Sequence, residues 1–92
     1  MYKIKFTNAY KNSYKRMIKR DIDVSLLDEV VDSLRQGIAL DPKHKNHMLK
    51  ERFSGYFECH IKPDCLLVYL REDDILTLTL IDTSSHADLF NM

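Results

Sequence analysis

Polar and apolar positions alternate at the start of the chain, where Tyr2-Lys-Ile-Lys-Phe-Thr7 reads as a short strand with Ile4 and Phe6 turned inward. The period then changes. Tyr10, Tyr14, Met17 and Ile18 recur at helical spacing and predict an amphipathic helix over 9–20, capped by Thr7 or Asn8, with Lys11, Lys15 and Lys19 along its outer ridge. Leu26, Leu27, Val30, Val31 and Leu34 form a second helical stripe, which Asp23 or Ser25 can cap and Gly37 can stop. Residues 38–54 follow neither period, and a connection that long in so small a chain suggests a functional loop. Three strands are predicted beyond it, over 55–62, 65–71 and 75–81, joined by Pro63-Asp64 and by Glu72-Asp73-Asp74. The order β-α-α-β-β-β predicts an α+β fold, with a small antiparallel sheet packed on two N-terminal helices.

Taking Pro63-Asp64 as a two-residue loop sets Lys62 opposite Cys65. Pairing back from there places Phe57, Cys59, Ile61, Leu66, Val68 and Leu70 on one apolar face. The other face would then carry Tyr56, Glu58, His60, Lys62, Cys65, Leu67, Tyr69 and Arg71. Folding does not require so many titratable and aromatic groups on a solvent-facing surface, so this is the face predicted to carry chemistry.

Composition narrows the setting. The 92 residues suffice for one domain spanning 1–92, and 45% hydrophobic with 30% charged residues fits a globule. No apolar run approaches the roughly 20 residues of a membrane span, and the N-terminus lacks the pattern of a signal peptide, so a cytoplasmic location is expected. Cys59 and Cys65 are then expected to be free thiols. The zero net charge hides segregation: 1–20 hold seven bases and no acid, 21–41 six acids and one Arg, 42–62 five bases and two acids, and 63–92 six acids and one Arg. Blocks of this kind suit a basic surface for a polyanion, although neighbouring blocks can also simply pair with one another.

The candidate chemistry rests on histidine. His60 falls beside Glu58 and, in the predicted register, across from Tyr69 and Arg71, while His44 and His47 lie in the preceding loop and His86 beyond the last strand. Imidazoles gain and lose protons near neutral pH, and several of them around a basic surface suit general acid and base work on a phosphodiester. Zinc is a poorer fit. His44-x2-His47 with Cys59 or Cys65 matches no standard ligand spacing, and the register turns Cys59 into the core. Ser54, Ser84 and Ser85 lack a nucleophile elbow, and there is no glycine-rich phosphate loop.

Several runs together resemble one family: His47-Met-Leu-Lys, Gly55-Tyr56, Glu58-Cys-His60-Ile-Lys-Pro63-Asp64, Leu67-Val-Tyr69 and Ser85-His86-Ala-Asp-Leu89-Phe90, with Asp41-Pro42 before them. They are similar to the YafQ branch of the RelE/ParE toxin superfamily over essentially the whole chain. The His60-Ile-Lys-Pro63-Asp64 block and the His86-to-Phe90 ending are specific in combination. The resemblance implies a RelE-like fold and a bacterial type II toxin that enters the ribosomal A site, cuts mRNA there without a metal or organic cofactor, and is held inactive by an antitoxin encoded nearby. It also implies that His47, His60, Asp64, His86 and Phe90 line the active site.

On that basis His60 with Asp64 is expected to activate the ribose 2′-hydroxyl and His86 to protonate the leaving 5′-oxygen. His47 is expected to bind the phosphate or share in proton transfer, and Phe90 to stack on a splayed base. The chain departs from the family pattern at Asp82-Thr83-Ser84-Ser85, where relatives often have an Arg and a Gly. Asp82 would repel charge growing on the phosphate, so Arg71, Lys62 or Arg52 is expected to supply the missing donor. Lys11, Lys15, Arg16, Lys19 and Arg20, with Lys43, Lys45 and Lys50, are the expected rRNA contacts. Two other readings are a ParE-like toxin that inhibits gyrase by contact alone and a catalytically weakened homologue kept to pair with its antitoxin.

Overall fold

Thr7 joins the first strand to the first helix and ties both to the last strand. Its Oγ1 accepts the Tyr10 N–H at 3.0 Å, capping the helix, while its hydroxyl donates to the Ile81 carbonyl at 2.5 Å. The structure, a computed structural model, describes residues 1–49, 55–63 and 65–85. Its elements are β1 (Lys3–Phe6), α1 (Asn8–Lys19), α2 (Ser25–Arg35), a 3₁₀ turn (Pro42–His44), β2 (His47–Met48), β3 (Tyr56–Lys62), β4 (Cys65–Glu72) and β5 (Thr77–Ser85). The five strands form one sheet in the order β1-β5-β4-β3-β2. The antiparallel expectation holds for β2 to β5, whereas β1 runs parallel to β5 and makes the sheet mixed.

Helix ends follow local chemistry. At the start of α2, Val24 occupies the cap position without a side-chain bond, and Asp23 Oδ1 accepts the Ser25 N–H at 2.9 Å. That donor holds the Asp23 carboxyl below the usual carboxylate range, with Lys62 adding a smaller pull. Gly37 ends α2 at φ +76, where the Gly37 N–H reaches the Leu34 carbonyl and the Ile38 N–H reaches the Ser33 carbonyl.

Both helices pack on one face of the sheet. Tyr10, Met17, Leu27, Val30 and Leu34 meet Cys59, Ile61, Cys65, Leu67, Tyr69, Leu78 and Leu80 there. Two expected core residues lie outside it. Phe6, at the end of an edge strand, is 51% exposed and sets its ring beside Tyr10; Ile18, one position past the buried ridge of Tyr10, Ser13 and Met17, is 49% exposed.

The register carries the main correction. Lys62 does face Cys65, but an irregularity between His60 and Lys62 inserts one residue, and His60 then pairs with Leu66, Cys59 with Leu67 and Phe57 with Tyr69. One extra residue reverses the phase of every side chain beyond it. Leu67 and Tyr69 therefore go to the core and Leu66, Val68 and Leu70 to the opposite face, the reverse of the expected assignment for β4. A second irregularity, between Val68 and Tyr69, shifts β5 against β4.

Candidate active site on the open sheet face

The open face begins with β2, a strand too short to show a period. His47 pairs with Glu58 across β2 and β3, so both side chains rise from the same side of the sheet. His47 Nε2 lies 3.7 Å from Glu58 Oε1. The Nδ1 of the same ring is 2.8 Å from the Lys45 carbonyl, which Lys45 presents from a left-handed conformation at φ 47. A carbonyl only accepts, so Nδ1 carries a proton and donates it. In the neutral ring that leaves the Nε2 lone pair beside Glu58.

His60 follows Glu58 by two positions along β3 and shares its face, half-buried and opposite Leu66. Next to it, Leu66, Val68, Asp82, Thr83 and Ser84 line a cavity of about 90 Å³. Asp82 Oδ1 accepts the Ser13 hydroxyl at 2.7 Å and the Thr83 N–H at 2.8 Å, so this carboxylate is partly satisfied within the protein. The face thus offers His47, His60 and the Glu58 carboxylate beside an apolar floor of Leu66 and Val68, while Asp82 is tied through Ser13 to α1. Such a set can exchange protons with a sugar-phosphate while the floor excludes some water.

Several expected neighbours are elsewhere. Tyr69 is buried, donates its hydroxyl to Asn46 Oδ1 at 2.7 Å, and has its own ionisation pushed up to about 12, chiefly by burial. Arg71 shares the helix side with Tyr69: its guanidinium lies 5.0 Å from the Phe57 ring centroid, with Nε 3.2 Å from Asp73 Oδ1. The bulge that flips β4 therefore carries Arg71 away from its expected position across from His60. Lys62 is exposed at the end of β3, near enough to Asp23 to act on it. Lys11, Lys15, Arg16 and Lys19 on α1 and Arg20 at its end are exposed, on the opposite side of the sheet from His47 and His60, while Lys43 lies within the 3₁₀ turn, bordering a cavity shared with α2, and Lys45 closes that turn ahead of β2. Asp64, His86, Phe90, Lys50 and Arg52 lie outside the described residues.

In the sequence Glu58 stands out only as a neighbour of His60. The spacing of two on one strand was the available signal, but its pairing with His47 depends on β2. His44, expected in an open loop, is 5% exposed and places Nδ1 2.7 Å from the His60 carbonyl. A cavity of about 520 Å³ lies on the helix side between β1, α1, α2 and β5, lined by Phe6, Tyr10, Tyr14, Val31 and Leu80 with charged groups at its rim and no imidazole.

The family model described as the bacterial toxin of type II toxin–antitoxin systems, YafQ, matches residues 2–91. The chain is 30% identical over 88 residues to the mRNA interferase toxin YafQ of Escherichia coli K12, covering 95% of this chain and 94% of that one. Among solved structures it resembles a metal-bound toxin from Helicobacter pylori, at 38% identity and TM-score 0.85 over 98% of this chain and 100% of that one. It also resembles a chain of the E. coli DinJ–YafQ complex, at 27% identity and TM-score 0.84 over 98% and 99%. Among the described residues no group of three or more His, Cys, Asp or Glu could hold a metal ion, so the described part of the face does not by itself fit such a site.

Proposed function

The chain belongs to the YafQ family of bacterial type II toxin–antitoxin toxins, and we propose that it cuts mRNA on the ribosome with the sheet face bearing His47, Glu58 and His60. The observation that carries this reading is the pairing of His47 with Glu58 on the same face as His60, which gathers proton-transfer groups where a nucleotide can reach them.

The reaction is internal to the RNA: the ribose 2′-oxygen attacks the adjacent phosphorus, the bond to the 5′-oxygen breaks, and a 2′,3′-cyclic phosphate and a 5′-hydroxyl result. It needs a base for the 2′-hydroxyl, an acid for the 5′-oxygen and positive charge near the phosphate. His60 with Asp64 takes the first proton and His86 supplies the second. His47, held through Nδ1, can meet the phosphate through Nε2 or share in proton transfer, and Glu58 stands ready to pair with its protonated form. Phe90 stacks on the base of the cut nucleotide. No metal ion is required for these steps.

Lys43, Lys45, Lys50 and Arg52 would hold RNA close to the cut, with Lys62 at the end of β3. The basic side chains of α1 face the other way and would contact rRNA at a distance from it. A cognate antitoxin is the second partner, in line with the DinJ-bound form of the E. coli relative.

The test is mapping of mRNA 3′ ends on programmed ribosomes. The expected result is codon-linked cuts bearing 2′,3′-cyclic phosphates, abolished when the nucleotide 5′ of the cut is 2′-deoxy. Cutting that survives the 2′-deoxy substitution contradicts the mechanism, and inhibition of DNA supercoiling with no RNA cut contradicts the nuclease reading altogether.

A further inference from the structure

The ladder between β2 and β3 ends at His47 and Glu58, and beyond that pair the outer edge of β3 has no neighbouring strand among the described residues. On its inner edge the pairing with β4 becomes irregular immediately after His60. His60 is therefore the last regular partner of β4 before the irregularity, and on its other edge it lies past the end of β2. His44 fills the gap from the 3₁₀ turn, its Nδ1 2.7 Å from the His60 carbonyl.

The turn that delivers this ring is itself fixed. Asp41 Oδ1 accepts the Lys43 N–H at 3.0 Å, the Asp41 carbonyl accepts the His44 N–H at 3.0 Å, and Lys45 closes the turn in a left-handed conformation. His44 itself is buried and borders a cavity lined by Leu26, Val30 and Leu40 together with Glu29, Ser33, Asp41 and Lys43.

We propose that His44 is a positioning residue for the active site: its imidazole N–H takes the place of a missing strand and holds the His60 backbone where the His60 ring can act. The bond requires a proton on Nδ1, so in its neutral form His44 has Nε2 free of hydrogen. Without that donor the carbonyl is left unsatisfied at a half-buried position, and the bulged segment can reorient to reach water. A small displacement of a proton-transfer group costs far more in turnover than in fold stability. This inference rests on the nuclease reading for its activity readout, but its structural content is independent of that reading.

Two substitutions in the full-length chain test it. His44→Leu removes the donor and keeps an apolar side chain of similar bulk; His44→Asn keeps an N–H near the position of Nδ1. Both are assayed for folding by near-ultraviolet circular dichroism, for cleavage of ribosome-bound mRNA, and for the imidazole resonances of His60 by NMR. H44L should lose turnover by about tenfold or more at unchanged KM, with displaced His60 signals, and H44N should recover most of both. Folded H44L with wild-type turnover, or folded H44N as impaired as H44L, overturns the proposal. Should H44L not fold, H44N decides alone: near wild-type turnover supports it and lost turnover in a folded protein overturns it. If the wild-type chain cuts no RNA, the nuclease reading fails, and the His60 resonances still decide the role of His44: displaced in H44L and restored in H44N they support it, and unmoved in both they refute it.

Discussion

His44 and His47 stand close together in sequence and do different things. One ring is buried against the His60 backbone; the other is exposed and linked to Lys45 and Glu58. Residue type alone marked both as candidates, and what separates them is a single 3₁₀ turn that points one inward. The cysteines were more legible, because an expected reducing compartment and the absence of a Cys framework already argued against a bridge; neither forms a disulfide and both are buried, Cys65 on the core side to which the bulge turns it. Burial pushes the Cys59 thiol up to about 12, with Cys65 adding to it. The folded state thus holds this proton more tightly than the unfolded chain does. The resulting stability is fully present below the ordinary thiol range and is lost as pH rises from there toward 12. A thiol reagent at pH 8 should leave both cysteines of the native protein unmodified and label both in urea; rapid native labelling of Cys59 would contradict its burial.

Among the elements, the helices were readable because a 3.6-residue stripe survives even when single positions such as Ile18 stray from it. β4 was not readable in the same way. Cys65-Leu-Leu-Val-Tyr-Leu is apolar at every position, so its pattern carries no phase, and the phase had to come from the turn. The turn pairing was right, yet one inserted residue near Ile61 reversed which side chains face the helices. β2 was invisible for a simpler reason: two residues cannot display an alternation. Thr7 shows how much of the assembly passes through a single side chain, since it caps α1 and tethers it to β5. Replacing it with Val keeps the shape and removes both bonds. Thermal unfolding should show a loss of about 1–3 kcal/mol, which for a domain of this size lowers the midpoint by about 4–8 °C per kcal/mol. An unchanged midpoint would mean that neither bond contributes.

At the scale of the molecule, the sheet separates two surfaces. One is covered by the helices and holds the core. The other is left open and holds His47, Glu58 and His60 beside Leu66 and Val68. The charge blocks visible along the sequence map only loosely onto this division. Of the seven bases in the first 20 residues, Lys11, Lys15, Arg16, Lys19 and Arg20 lie along the outside of α1 and its end, facing away from the open sheet face, and Lys3 and Lys5 lie on the edge strand β1. Basic side chains near the candidate site come instead from the turn around Lys43 and Lys45. The zero net charge is the sum of fourteen bases and fourteen acids over these local surfaces and gives no guide to the partner.

The most direct measurement is cleavage of ribosome-bound mRNA by His47→Ala and His60→Ala variants alongside the wild-type chain, with unfolding midpoints recorded in parallel. Each substitution should lower cleavage by about 100-fold or more while leaving the midpoint within a few degrees. Undiminished cutting by both folded variants would show that the open face is not where the RNA is cut.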